Sequence, residues 1–174
     1  MGSEQFSCNT QGCARTCYRK IALTPFLLLT FQALAAYDIN DVPLGATEKD
    51  LKRHFPQANC RPLEWPSRAA DRRCDDSRVT FAGVDASVTF YLRRNAVEGF
   101  DVRFDHRDLE PVLKYLRARY GAPALEGRGP VRARWEDKRK DGAERAVLSS
   151  EKGRRRASLL VSRGTFEDEI YKVR

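Results

Sequence analysis

Three runs in which every second residue is apolar, lying between positions 79 and 104, constrain this chain more than any other feature. Val79 and Phe81, then Val88, Phe90 and Leu92, then Phe100, Val102 and Phe104 keep a period of two, with breaks at Gly83-Val84-Asp85 and Arg94-Asn95-Ala96. That period places these side chains on one face of extended strands and their neighbours on the other. Breaks so short allow only hairpins, so the spacing predicts a three-stranded antiparallel meander.

The period then changes. Leu109, Val112, Leu113, Leu116 and Tyr120 follow a helical stripe, with Pro111 in the first turn and Gly121 and Pro123 at the end. Alternation returns in Val131, Ala133 and Trp135, interleaved with Arg132, Arg134 and Glu136; Asp141-Gly142 marks a hairpin turn, Ala146 and Leu148 follow, and Lys152-Gly153 leads into Ala157, Leu159 and Val161. Upstream, Thr47 with Asp50 forms a capping-box-like start to a short helix carrying Leu51 and Phe55 on one face and stopped by Pro56. Residues 57–77, with both prolines and mixed charges, read as a loop. Thr165 with Asp168 predicts a short terminal helix over Phe166 and Ile170. Helix plus three strands thus occurs twice, which predicts an α+β domain: an antiparallel meander sheet with helices on one face.

Several short motifs carry a resemblance. Leu44-Gly45 before a short helix, the Phe55-Pro56 stop, the cysteine after it, Phe81-Ala82-Gly83-Val84 at a strand end and Tyr120-Gly121-Ala122-Pro123 at a helix end are similar to a class of small exported bacterial proteins. Their repeated helix-then-meander resembles the beta-lactamase-inhibitor-protein fold and the small outer-membrane-assembly lipoproteins that share it. The resemblance implies a fold and leaves function to the site. Two departures stand out: no cysteine sits where a lipid would be attached, and no inhibitory residue has a match here.

The first 36 residues differ in kind. Arg15, Arg19 and Lys20 precede an apolar run over 21–36, and Ala33-Leu34-Ala35 offers the small-x-small pattern of a cleavage site. A membrane-spanning helix needs about 20 apolar residues, and this run is shorter and contains Pro25. Residues 1–36 are therefore expected to be a cleaved signal peptide and 37–174 a single periplasmic domain with no stable membrane span. Cys8, Cys13 and Cys17 lie ahead of the apolar run, leaving Cys60 and Cys74 as an even pair in an oxidising compartment, where a disulfide is expected. A metal site would want four ligands, and His54 and His106 are isolated. No metal or cofactor is expected.

Charge is distributed unevenly. From 37 to 106 there are 11 basic and 12 acidic residues, and from 107 to the end 18 and 11, so the second half carries the whole excess. Arginine outnumbers lysine 24 to 8, a fingerprint of GC-rich coding that alone fills a surface with guanidinium groups. If Val131, Ala133 and Trp135 face the core, Arg132 and Arg134 point outward, and Arg156 joins them. Lys138-Arg139-Lys140 and Arg154-Arg155-Arg156 crowd nearby turns. Such a face suits an acidic protein, a lipid A phosphate or a cell-wall polymer. Nucleic acid is disfavoured by the compartment and by the inward phase of Trp135.

Catalytic patterns are sparse. There is no Gly-x-Ser-x-Gly elbow, Gly127-Arg128-Gly129 lacks the lysine of a phosphate loop, and Asp71, Asp75 and Asp76 are flanked by Arg72, Arg73 and Arg78 rather than spaced as a calcium loop. The sequence predicts a non-enzymatic periplasmic protein that binds a partner through Arg132, Arg134 and Arg156, as an inhibitor, immunity factor or envelope accessory. The alternatives are a small envelope-polymer hydrolase using carboxylates and His106, and a structural envelope protein without a discrete ligand.

Overall fold

The computed structural model describes residues 37–139, 142–150, 153 and 155–170. The expected signal peptide, Lys140, Asp141 of the expected hairpin turn, Lys152 and Arg154 lie outside the described residues. A two-stranded hairpin, β1 (Asp38–Ile39) and β2 (Val42–Pro43), leads into helix α1 (Glu48–His54). Strands β3 (Asn59–Pro62), β4 (Arg72–Phe81), β5 (Val84–Arg93) and β6 (Ala96–Asp105) follow, then a 3-10 turn (His106–Asp108) and helix α2 (Leu109–Tyr120). The chain finishes with β7 (Leu125–Glu126), β8 (Val131–Arg139), β9 (Gly142–Ser149), β10 (Arg156–Arg163) and the single-turn helix α3 (Phe166–Glu169).

Strands β3 to β10 form one antiparallel sheet in the order β3-β4-β5-β6-β10-β9-β8-β7. Each half is a helix followed by strands laid side by side, and the halves join last strand to last strand, with Arg156 to Ser162 opposite Asp105 to Gly99. This is the α+β architecture that the periodicity predicts, with strand predominating.

Local sequence sets each helix. The Thr47 hydroxyl accepts from the Asp50 amide at 3.2 Å and donates to its carboxylate at 2.7 Å, satisfying an end donor of α1. The apolar stripe of α2 buries Leu109, Val112, Leu113 and Leu116, and Gly121 ends the helix at φ +82°, a conformation that costs glycine little. Both helices pack on the face that carries the alternating apolar residues. Phe90 and Phe100 are fully buried there, 5.8 Å apart, and Phe55, the C-cap of α1, meets Phe90 edge-on at 5.0 Å. Trp135 takes its expected inward phase and donates from Nε1 to the Gly121 carbonyl at 2.9 Å, so its one polar atom is satisfied.

Three local expectations change. Residues 57–77 contain β3 and the start of β4, where the periodicity suggested a loop. Their polar alternation is stabilised by ion pairs, Arg72 with Glu48 and Arg73 with Asp75, instead of apolar burial. A bulge between Asp76 and Val79 shifts the phase of β4, and Asp76 stabilises it by accepting from the Arg78 amide at 3.0 Å. At α3, Thr165 occupies the capping position without a side-chain cap bond. Cys60 and Cys74 are joined in a disulfide and lie directly opposite each other in the β3–β4 pair.

Candidate functional site

The second face of the sheet follows from the same alternation. Residues between the buried ones on β6 are Gly99, Asp101 and Arg103; on β10 they are Arg156, Ser158, Leu160 and Ser162; on β9, Arg145, Val147 and Ser149; on β8, Arg134, with Arg132 in a bulge between Val131 and Ala133. Part of this face is covered. Helix α3 and the segment 63–71 build a small second core in which Phe166 and Ile170 pack with Ala69, Ala70 and Tyr91, and Leu63, Trp65 and Leu160 border it. Trp65 Nε1 donates to the Ile170 carbonyl at 2.8 Å, tying the segment to the helix. The absence of a side chain at Gly99 makes room for Phe166: a Cβ there would stand 2.8 Å from the ring.

Beyond that cover lies a concavity of about 450 Å³, walled by residues of β6, β9 and β10 together with Glu167 of α3. Asp101, Arg103, Arg156, Ser149, Ser150 and Ser158 supply its polar lining, and Val147 and Leu160 an apolar strip. The register explains the arrangement. Leu160 stands opposite both Asp101 and Val147, with Arg134 beyond Val147, while Ser158 stands opposite both Arg103 and Ser149.

Of the three arginines expected to share a face, Arg156 lines this concavity and is exposed, whereas Arg132 and Arg134 flank it on β8. The Nε atoms of Arg132 and Arg134 are buried and have no hydrogen-bond partner among the described residues. Arg132 Nη1 donates to the Arg128 carbonyl at 3.3 Å. Of the charged runs at the nearby turns, only Arg155 and Arg156 have described side chains.

Asp101 and Arg103, both on the first half of the chain, were not among the sequence-based candidates. Arg103 Nε donates to Asp101 Oδ2 at 2.7 Å, and the Asp101 side chain is only 8% exposed against 51% for Arg103. Burial pushes the Asp101 carboxyl above its ordinary 3.8, against the lowering effect of the Arg103 charge and hydrogen bond. The folded protein therefore holds that proton more tightly than the unfolded chain, and the group's contribution to stability falls as pH rises from the ordinary value through the raised one. Asp101→Asn keeps the shape without the charge. Thermal melts at about pH 4, 5.5 and 7 should show the variant gaining on wild type as pH rises; parallel curves would show that Arg103 compensates burial in full.

His106 and Ser150 meet beside the concavity, Nδ1 to Oγ at 2.6 Å. The His106 amide donates to the Arg155 carbonyl and the Ser150 amide to the Pro130 carbonyl, both at 2.7 Å, so this contact fastens the ends of β6 and β9 to the segments entering β10 and β8. Ser150 is 2% exposed, and among the described residues no carboxylate is hydrogen-bonded to the ring to orient it as a base. Among the described residues no helix is long and apolar enough to cross a membrane, and no cluster of three metal-ligating side chains occurs. No protein-family model matches the chain, and no curated protein or solved structure matches it.

Proposed function

We propose that the chain is an exported, non-enzymatic envelope protein that binds an anionic macromolecular partner on the uncovered part of its sheet, in an inhibitory, immunity or accessory role. The observation carrying this reading is the set of arginines on that part of the sheet, Arg132 and Arg134 on β8 and the exposed Arg156 on β10. A carboxylate or phosphate brought by a partner supplies acceptors in the fork geometry that guanidinium groups prefer. The Cys60–Cys74 disulfide supports an oxidising compartment such as the periplasm. The twice-repeated helix-then-meander is the arrangement that the resemblance to beta-lactamase-inhibitor-like and outer-membrane-assembly domains implies.

Pull-down from envelope extract tests the reading. Arg132→Glu with Arg134→Glu is expected to lose at least about tenfold of the captured partner, since each reversal removes an attraction and adds a repulsion. Unchanged capture would remove this face from the function. A second reading, a small hydrolase, draws on the 2.6 Å contact between Ser150 and His106, the spacing of a nucleophile and its base. Labelling of Ser150 by a fluorophosphonate, lost in His106→Ala, would favour it over binding alone.

A further inference from the structure

We infer that the Cys60–Cys74 bridge is a redox clasp on a strap, residues 59–70, which a dithiol opens while the rest of the sheet and the concavity stay folded. The inference is independent of the partner that the uncovered sheet holds.

Chain topology makes the bridge a clasp. The two cysteines are 14 positions apart and directly opposed on β3 and β4, so the ring they close contains the whole segment 63–71 that covers part of the second sheet face. The two ends of the strap are held differently. Downstream, Asp71 is built into the sheet: its amide donates to the Leu92 carbonyl at 2.9 Å and its Oδ2 accepts from the Arg94 amide at 3.0 Å. Upstream, the Leu63 amide donates to the Asp71 carbonyl at 2.9 Å, and before it comes β3, an edge strand of four residues. Three of these are exposed, and Pro62 has no N–H to give. Arg61 meets Glu64 at 3.2 Å and Asp75 at 3.5 Å in solvent-facing ion pairs, which hold little.

Between the ends the grip is light. Trp65 Nε1 donates to the Ile170 carbonyl at 2.8 Å, Ser67 Oγ to the Glu169 carbonyl at 3.3 Å, and the buried side chains of the strap are Ala69 and Ala70. Alanines bury little apolar area. Helix α3 has an anchorage of its own, since Phe166 fills the space over Gly99 and lies 5.5 Å from the Tyr91 ring. Opening the strap therefore leaves α3 in place, and with it Glu167 at the concavity.

The chemistry is thiol–disulfide exchange. Cys60 is half-buried and Cys74 fully buried, so an incoming thiolate attacks Cys60 Sγ and Cys74 leaves as the thiolate. The second thiol of the same reductant then attacks the reductant's own sulfur in the mixed disulfide and releases the Cys60 thiolate. Each cysteine takes up a proton, the chain gains two electrons, and the dithiol departs as a disulfide. Freed from β4, the strap pivots about Asp71, and the cluster of Tyr91 and Phe166 beneath Ala69 and Ala70 meets solvent. A fall in the oxidising power of the surroundings thereby becomes an apolar surface beside the concavity, with Leu160 bordering both.

Dithiothreitol treatment of the protein as purified from cells, followed by desalting and limited trypsin digestion, tests the clasp. Arg68 is the strap residue open to trypsin, because Arg61 precedes a proline. Reduction is expected to reach completion without denaturant. Cleavage after Arg68 should then accelerate about tenfold or more, as befits release of the chain-entropy constraint on a local opening. Cleavage after Arg128, in the segment before β8, is the internal reference and should keep its rate, and the far-UV circular dichroism should keep its shape. Cys60→Ser with Cys74→Ser should cleave fast without reductant, which separates the bridge from Cys8, Cys13 and Cys17. A bridge that resists dithiothreitol until urea unfolds the chain, an unchanged rate after Arg68, or a rise at every tryptic site together would overturn the inference and leave the disulfide a staple.

Discussion

Replacing Phe90 with alanine is expected to lower the unfolding free energy by about 3–5 kcal/mol, the range for truncating a fully buried aromatic side chain. Phe90 has no exposed surface and touches both layers, Phe55 at the C-cap of α1 edge-on at 5.0 Å and Phe100 on the neighbouring strand at 5.8 Å. Removing the ring deletes its transfer free energy and leaves a cavity that strands fixed by hydrogen bonds on both sides cannot close. Urea denaturation followed by tryptophan fluorescence would measure the loss. A cost below about 1 kcal/mol would mean that α1 resettles onto the sheet and that the first half is more plastic than its packing implies.

The second large effect belongs to the disulfide. Changing Cys60 and Cys74 to serine should cost about 3 kcal/mol by the chain-entropy account, for a loop whose ends are 14 residues apart. For a domain of this size that corresponds to a melting temperature lower by about 10 °C. Binding should be insensitive below the transition, because β5 separates the bridged β3–β4 pair from β6, where the wall of the concavity begins. A variant that keeps its melting temperature but loses partner capture would place the bridge in the site rather than in the scaffold.

Much of the fold was legible because alternation reports burial directly. Phe100, Val102 and Phe104 on β6 and Ala157, Leu159 and Val161 on β10 all face the core as their spacing requires. What escaped notice was structure held by charge. Arg72, Arg73, Asp75 and Asp76 look like loop residues, yet they alternate along β4, with ion pairs and a bulge replacing the apolar signal. The outward phase of Arg134 could be inferred from Ala133 and Trp135, whereas the bulge that holds Arg132 between Val131 and Ala133 could not. The placement of Arg156 diagonal to Arg103 could not, even though the spacing that points Phe100, Val102 and Phe104 inward also points Arg103 outward. Strand order was the missing information: 53 positions separate Arg103 from Arg156 in the chain, and only the pairing of β6 with β10 makes them neighbours.

That pairing also governs the order of assembly. The strand at the centre of the sheet is the last to be synthesised, so until β10 emerges both β6 and β9 present open hydrogen-bonding edges, the kind of surface that recruits other chains into aggregates. Closing the sheet is therefore a late, long-range event that removes both hazards at once. A chain released before residue 156 would carry two nearly complete half-sheets without the concavity between them, and would be a good substrate for a chaperone or protease.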